Sequence, residues 1–213
     1  MTCCDHENLD HHEMTDTSLP VSLEESVPNT EITLYDPKTD TIISTMINDI
    51  KSQWKIFFFY PADFTFVCPT ELKEVSALAE DFAAVWASVY VVSTDTVFTH
   101  KKRIETEPLL KDFRLPMIAD RTGQLSSLFG VYNTTTGNAE RWSFILDNEN
   151  IIKSVEIVTE PIGRSSLELL RKVQALDHVR KNPGAACPAS RSKWAKTIKP
   201  WLDIVGNAGK DLA

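Results

Sequence analysis

The chain has 213 residues, 42% of them hydrophobic, and a formal net charge of −8. That suits one domain of ordinary size with extensions. The acidic balance excludes the basic footprint that a nucleic-acid surface needs, and the longest apolar run, residues 56–60, is far too short to span a bilayer.

Residues 1–37 hold nine acidic side chains and no Lys or Arg, so the rest of the chain is close to neutral, with 21 acids against 22 bases. No basic stretch followed by an apolar one opens the sequence, so no signal peptide is read and a cytoplasmic location is expected. Residues 1–30 have no periodic apolar face and read as a flexible acidic tail. The tail carries Cys3, Cys4, His6, His11 and His12, whose spacing matches no structural zinc module. Cys68 and Cys187 complete the cysteines, too few for a disulfide scaffold in a chain of this length.

Residues 31–35 and 41–47, joined by a turn at 36–40, read as a hairpin. Residues 54–60 (WKIFFFY) form a continuous apolar run between polar neighbours, as a buried central strand does. A loop at 61–67 leads into a helical pattern that continues to about residue 86, with apolar residues at three- and four-residue steps. Residues 88–93 read as a second apolar strand. Helical patterns follow at 96–113, interrupted near Pro108, and at 122–129. Residues 141–146 and 151–157 are expected as strands around a turn at 147–150. The clearest helix is 165–181, after which Asn182-Pro183-Gly184 opens an irregular segment bearing Cys187. Strands alternating with helices predict an α/β architecture, a sheet with helices on both faces. The expected units are a tail at 1–30, a domain at 31–181 and a C-terminal segment at 182–213.

The stretch around Cys68 reads Tyr60-Pro61-Ala62-Asp63-Phe64-Thr65-Phe66-Val67-Cys68-Pro69-Thr70-Glu71. It joins the buried strand to an amphipathic helix, which puts Cys68 in the first helical turn, and Pro69 fits there because its missing amide would be unpaired anyway. A thiol at such a position meets unpaired amides and the positive end of the helix dipole, both of which favour a thiolate. A lone cysteine is equally at home as a small buried apolar side chain. No second thiol stands three residues on, which excludes a Cys-x-x-Cys exchanger at this site. The wider pattern, Pro61-x-x-x-Thr65-x-x-Cys68, places a hydroxyl within reach of the sulfur and a proline able to wall it from water.

FFFYPADFTFVCPTEL resembles the active-site block of the typical 2-Cys peroxiredoxins, most closely of the alkyl hydroperoxide reductase C kind. The likeness continues through VSTDTVFTH, RWSFILD, EPIGRSSLELLRKVQAL and PGAACPA, in the family's order, over about residues 31–206. It implies a thioredoxin-like fold with a central mixed sheet, and thiol-dependent reduction of hydrogen peroxide and organic hydroperoxides without a bound cofactor or metal. By this resemblance Cys68 is the peroxidatic cysteine, Thr65 the hydroxyl that binds peroxide and Pro61 the shielding proline. Arg141 is the arginine across the site and Glu71 its orienting partner, although a Glu in the first turn could simply complement the helix dipole. Cys187 matches the resolving cysteine. The resemblance further implies a disulfide between Cys68 and Cys187 across a homodimer, in some relatives within a decamer of dimers. The cycle would be restored by a disulfide reductase partner, either the flavoprotein component of an alkyl hydroperoxide reductase system or thioredoxin. A holdase chaperone or scaffold using the same oligomer is the alternative function.

Two departures stand out. Between Thr106 and Pro116 the chain reads TEPLLKDFRLP, without the Gly-Gly-Leu-Gly insertion of overoxidation-sensitive members, and it ends in GNAGKDLA without their Tyr-Phe helix. Cys68 is therefore expected to resist oxidation to sulfinic acid. After Cys187 the chain runs PASRSKWAKTIKPW, a lengthened segment.

Overall fold

A computed structural model describes residues 22–192 and 195–211. The strands are β1 (Glu31–Asp36), β2 (Thr41–Met46), β3 (Trp54–Phe59), β4 (Ala87–Ser93), β5 (Met117–Ala119), β6 (Tyr132–Asn133), β7 (Asn138–Ala139), β8 (Trp142–Asp147) and β9 (Ile152–Ile157). The helices are α1 (Cys68–Ala77), α2 (Ala79–Ala83), α3 (Val97–Thr106), α4 (Gln124–Leu128) and α5 (Ser166–Lys181).

Seven strands form one mixed sheet in the order β2-β1-β5-β4-β3-β8-β9, while β6 and β7 pair apart from it. The central strands β5, β4 and β3 are parallel, and every other pairing in the sheet is antiparallel. Strand β3 is buried along its whole length, and its side chains alternate between two cores. Ile56, Phe58 and Tyr60 join Leu72, Val75, Phe82, Leu169 and Val173 under α1, α2 and α5, with Ile104 of α3 packed alongside. Phe57 and Phe59 face α4, where they pack with Phe129 and Phe144 at centroid distances of 4.7–5.8 Å. Helices thus cover both faces of a central mixed sheet, as the alternation of strands and helices implied.

Three differences from the sequence pattern have local causes. The pattern at 68–86 is divided at Leu78 (φ −95°, ψ 10°), which ends α1 and precedes α2. The pattern at 96–113 stops at Thr106 because Glu107 precedes Pro108 and takes the extended conformation that a following proline imposes. A single 3₁₀ turn, Pro108–Leu110, follows. Strand β5 has no legible signature: it is three residues long and borrows its order from β4 and β1.

Within the last stretch of the expected tail, residues 24–27 bond to the backbone of residues 150–152, although most of 22–30 is exposed. Glu24 N donates to Ile152 O and Val27 N to Asn150 O, both at 2.9 Å, and Val27 is buried. Residues 1–21, with Cys3, Cys4, His6, His11 and His12, lie outside the described residues. In the C-terminal segment, Ala186 and Ile198 pair through two backbone hydrogen bonds of 2.8 and 2.9 Å, which folds the added length back beside Cys187. No helix among the described residues is long and apolar enough to cross a membrane.

Candidate active site

The C-terminal end of β3 feeds the loop 60–67, and the loop feeds α1. Cys68 is the first residue of α1, Pro69 follows in the first turn, and no side chain caps this end. Open amides at the head of a helix favour negative charge placed there. Cys68 is 2% exposed and packs in the core beside Leu72 and Val75.

The antiparallel neighbour β8 explains how a residue 73 positions away reaches the sulfur. Phe58 pairs with Ser143, so the start of β8 lies level with the end of β3. Arg141 stands just before β8, fully buried, with Nη1 at 3.7 Å and Nη2 at 3.8 Å from Cys68 Sγ. Its Nε donates to Glu160 O at 3.0 Å, and its Nη1 pairs with the Glu71 carboxylate.

Glu71 lies one turn after Cys68 and serves a second cation. Its Oε1 accepts from Arg164 N at 2.7 Å and from Arg164 Nε at 3.0 Å. Arg164 also donates to Trp142 O and Ser143 Oγ, and its Cζ sits 3.4 Å from the centroid of the Phe58 ring. Burial lowers the Arg164 pKa from its ordinary value, and the Glu71 charge works in the opposite direction. Two buried guanidinium groups thus share one buried carboxylate. The cluster carries a net positive charge directed at Sγ, where negative charge is stabilised in surroundings of low dielectric.

Thr65 is half-buried, and its hydroxyl donates to Ala62 O at 2.8 Å, which leaves its lone pairs to accept a further hydrogen. No hydrogen bond joins Thr65 to Sγ among the described residues. Pro61 is buried at the start of the loop. The loop is fastened by groups that sequence reasoning passed over. The Asp63 carboxylate accepts from Tyr60 Oη at 2.9 Å and pairs with His100 Nδ1 at 2.8 Å, and Asp63 N donates to Asp95 Oδ2 at 2.7 Å. Burial, with Asp63 beside it, pushes the Tyr60 hydroxyl well above its ordinary pKa and keeps it a donor. Arg103 Nη2 donates to Thr65 O at 3.2 Å. Phe64 sits at φ +58°, a left-handed conformation costing on the order of 1 kcal/mol or more for a residue with a bulky side chain. The blocks that carry the resemblance contain Asp63, His100 and Arg164, so a signal existed for those three. For Arg103 the only hint was its place three residues after His100 on one helix.

Cys187 is placed elsewhere. It is half-buried, and its Sγ lies 3.6 Å from Ala175 O on α5, in an open pocket with Arg171, Lys172, Leu176 and Lys153. Both Cys68 and Cys187 are free thiols with separate neighbours. No group of three or more His, Cys, Asp or Glu side chains able to hold a metal ion occurs among the described residues.

The family model described as the AhpC/TSA family matches residues 24–155. Alkyl hydroperoxide reductase C of Amphibacillus xylanus is 44% identical over 158 residues, covering 74% of this chain and 84% of that protein. Its counterpart in Escherichia coli is 41% identical over 169 residues, covering 79% of this chain and 90% of that one. The crystal structure of Enterococcus faecalis AhpC superposes with a TM-score of 0.73 at 37% identity, over 78% of this chain and 98% of the other. With a family model matched over more than half its length and relatives above 40% identity, the chain belongs to the AhpC/TSA family of peroxiredoxin enzymes, on a thioredoxin-like fold.

Proposed function

We propose that the chain is a thiol-dependent peroxidase of antioxidant defence, with the Cys68 sulfur as the atom that takes up the peroxide oxygen. The carrying observation is the Arg141 guanidinium at 3.7 and 3.8 Å from a buried sulfur at the head of a helix. Cys68 thiolate attacks the terminal oxygen of hydrogen peroxide or an organic hydroperoxide. The sulfur–oxygen bond forms as the oxygen–oxygen bond breaks, and the leaving oxygen takes a proton and departs as water or an alcohol. Thr65 binds the peroxide with its hydroxyl, Arg141 stabilises charge moving onto the leaving oxygen, and Pro61 keeps bulk water out. Glu71 fixes the plane of the Arg141 guanidinium.

Cys187 resolves the sulfenic acid. Its sulfur displaces the hydroxyl from Cys68 as water and forms a disulfide between the two subunits of a homodimer, itself able to build a decamer. An external dithiol reductant, a flavoprotein disulfide reductase or thioredoxin, then restores both thiols. A disulfide needs Cα atoms within roughly 7 Å. Cys68 is buried against Arg141 and Cys187 rests on α5, so the first turn of α1 and the C-terminal segment both rearrange during the cycle. A reducing cytoplasm fits a thiolate that must be regenerated after each turnover.

The test is Cys187→Ser. With dithiothreitol, which reaches the sulfenic acid directly, the variant is expected to turn over near the wild-type rate. With a protein disulfide reductase it should fall by at least about tenfold, because no disulfide is presented for exchange. Full turnover with the protein reductant would remove Cys187 from the cycle.

A further inference from the structure

Beyond Tyr60 and Pro61, which are buried, the loop that carries Thr65 has little apolar burial to hold it. Phe64 is 53% exposed and Phe66 94% exposed, and Ala62 and Thr65 are half-buried. Segments with few buried apolar contacts open readily, so their position depends on polar clamps. The first half of this loop is clamped at Asp63, through Tyr60, His100 and Asp95.

The second half is clamped by Arg103. This cation is 5% exposed, and a buried charge persists only with partners. It has three. Nη2 donates to Thr65 O at 3.2 Å, the same nitrogen lies 3.5 Å from Glu107 Oε2, and Cζ is 5.1 Å from the centroid of the Phe64 ring. Glu107 is itself fixed, since its Oε1 accepts from Leu109 N at 3.3 Å in the turn that follows α3. A continuous line of contacts therefore runs from that turn through Glu107 and Arg103 to the backbone of Thr65. It also reaches the ring of Phe64, the one residue of the loop 60–67 with positive φ.

We infer that Arg103 is a positioning residue for peroxide reduction. It holds the Phe64–Thr65 backbone so that the Thr65 hydroxyl meets the incoming peroxide, and it releases that backbone when the start of α1 opens for resolution. The inference rests on the peroxidase reading and assigns a role to a residue that touches neither the sulfur nor the peroxide. Arg103 supports oxidation of Cys68 and opposes the opening that follows, so its loss should affect the two steps differently.

Stopped-flow measurements on the full chain separate them, giving a second-order rate for oxidation of Cys68 by hydrogen peroxide and a first-order rate for disulfide formation. Arg103→Met keeps the length and packing of the side chain and removes its charge and donors. Oxidation is expected to slow about tenfold, the scale of a small misplacement in a preorganised site, while disulfide formation stays at least as fast as in the wild type. Arg103→Lys restores the charge and one donor, and should bring oxidation back to within about threefold. A purely structural role would instead lower thermal stability, slow both steps together and leave Lys no better than Met, which would overturn the inference. So would an oxidation rate in Arg103→Met within about twofold of the wild type. If Arg103→Met fails to fold, Glu107→Gln decides: it removes the carboxylate that anchors Arg103, is expected to slow oxidation by about threefold or more, and a wild-type oxidation rate there would overturn the inference. A wild type that reacts alongside unaffected variants removes only this inference. A wild type inert to peroxide removes the peroxidase reading as well.

Discussion

Replacing Cys68 with serine is expected to abolish peroxide consumption, a fall of at least about 10⁴-fold in the second-order rate, because a neutral hydroxyl is far too weak a nucleophile to cleave the oxygen–oxygen bond. The change is small in volume. The new hydroxyl would occupy the place of a sulfur 3.7 and 3.8 Å from the Arg141 nitrogens, where an oxygen can still accept a hydrogen bond. Little of the fold should be lost, and the circular dichroism and oligomeric state should match those of the wild type. Peroxide consumption with dithiothreitol as reductant gives the readout. Retention of a tenth of the wild-type rate, a loss of only about tenfold, would mean that another atom reacts with peroxide. The same variant separates catalysis from a scaffold or holdase role, which has no need of the sulfur.

Glu71→Gln is expected to carry the largest penalty in stability. The Arg141 and Arg164 side chains are almost fully buried, and Glu71 supplies the one carboxylate between them. With an amide in its place, the two guanidinium groups lose the carboxylate they share, and only the Cys68 sulfur and the more distant Glu156 charge oppose them. Breaking a buried pair of this kind costs about 3–5 kcal/mol, and in a chain of this size that lowers the melting temperature by roughly 10 °C. Arg141 also loses the group that orients it toward Cys68, so oxidation by peroxide should slow by about tenfold or more. Thermal melting and peroxide kinetics on the same preparation check both effects. The size of the loss decides what the sequence left open. A glutamate that only complements the helix dipole contributes about 0.3–1 kcal/mol, so a melting temperature within about 2 °C of the wild type would restore that reading.

The strands and helices that declared themselves are those whose pattern is local. The apolar run of β3, the hairpin of β1 and β2, and α5 with Ser165 accepting from Glu168 N at its start could all be read from neighbouring residues. The site was legible only in part, for a reason visible in its topology. Cys68 could be placed because strand, loop and helix are contiguous. Arg141 reaches it only because β8 pairs antiparallel with β3, and nothing within residues 141–147 announces that partner. Glu71 stayed ambiguous because its second cation, Arg164, lies 93 residues away. Arg103 was passed over because a cation on a helix usually faces solvent, and its burial depends on the loop folding down over it.

Mapping the disulfide formed by one equivalent of hydrogen peroxide tests the central claim most directly. The fully reduced chain would be oxidised, its remaining thiols rapidly alkylated, and the digest read by mass spectrometry. The expected result is a single crosslink joining the Cys68 peptide to the Cys187 peptide, in a species that runs as a dimer without reductant, and with no sulfinic acid at Cys68. Consumption of the peroxide with Cys68 still alkylated, or with Cys68 joined to Cys3 or Cys4, would contradict the account.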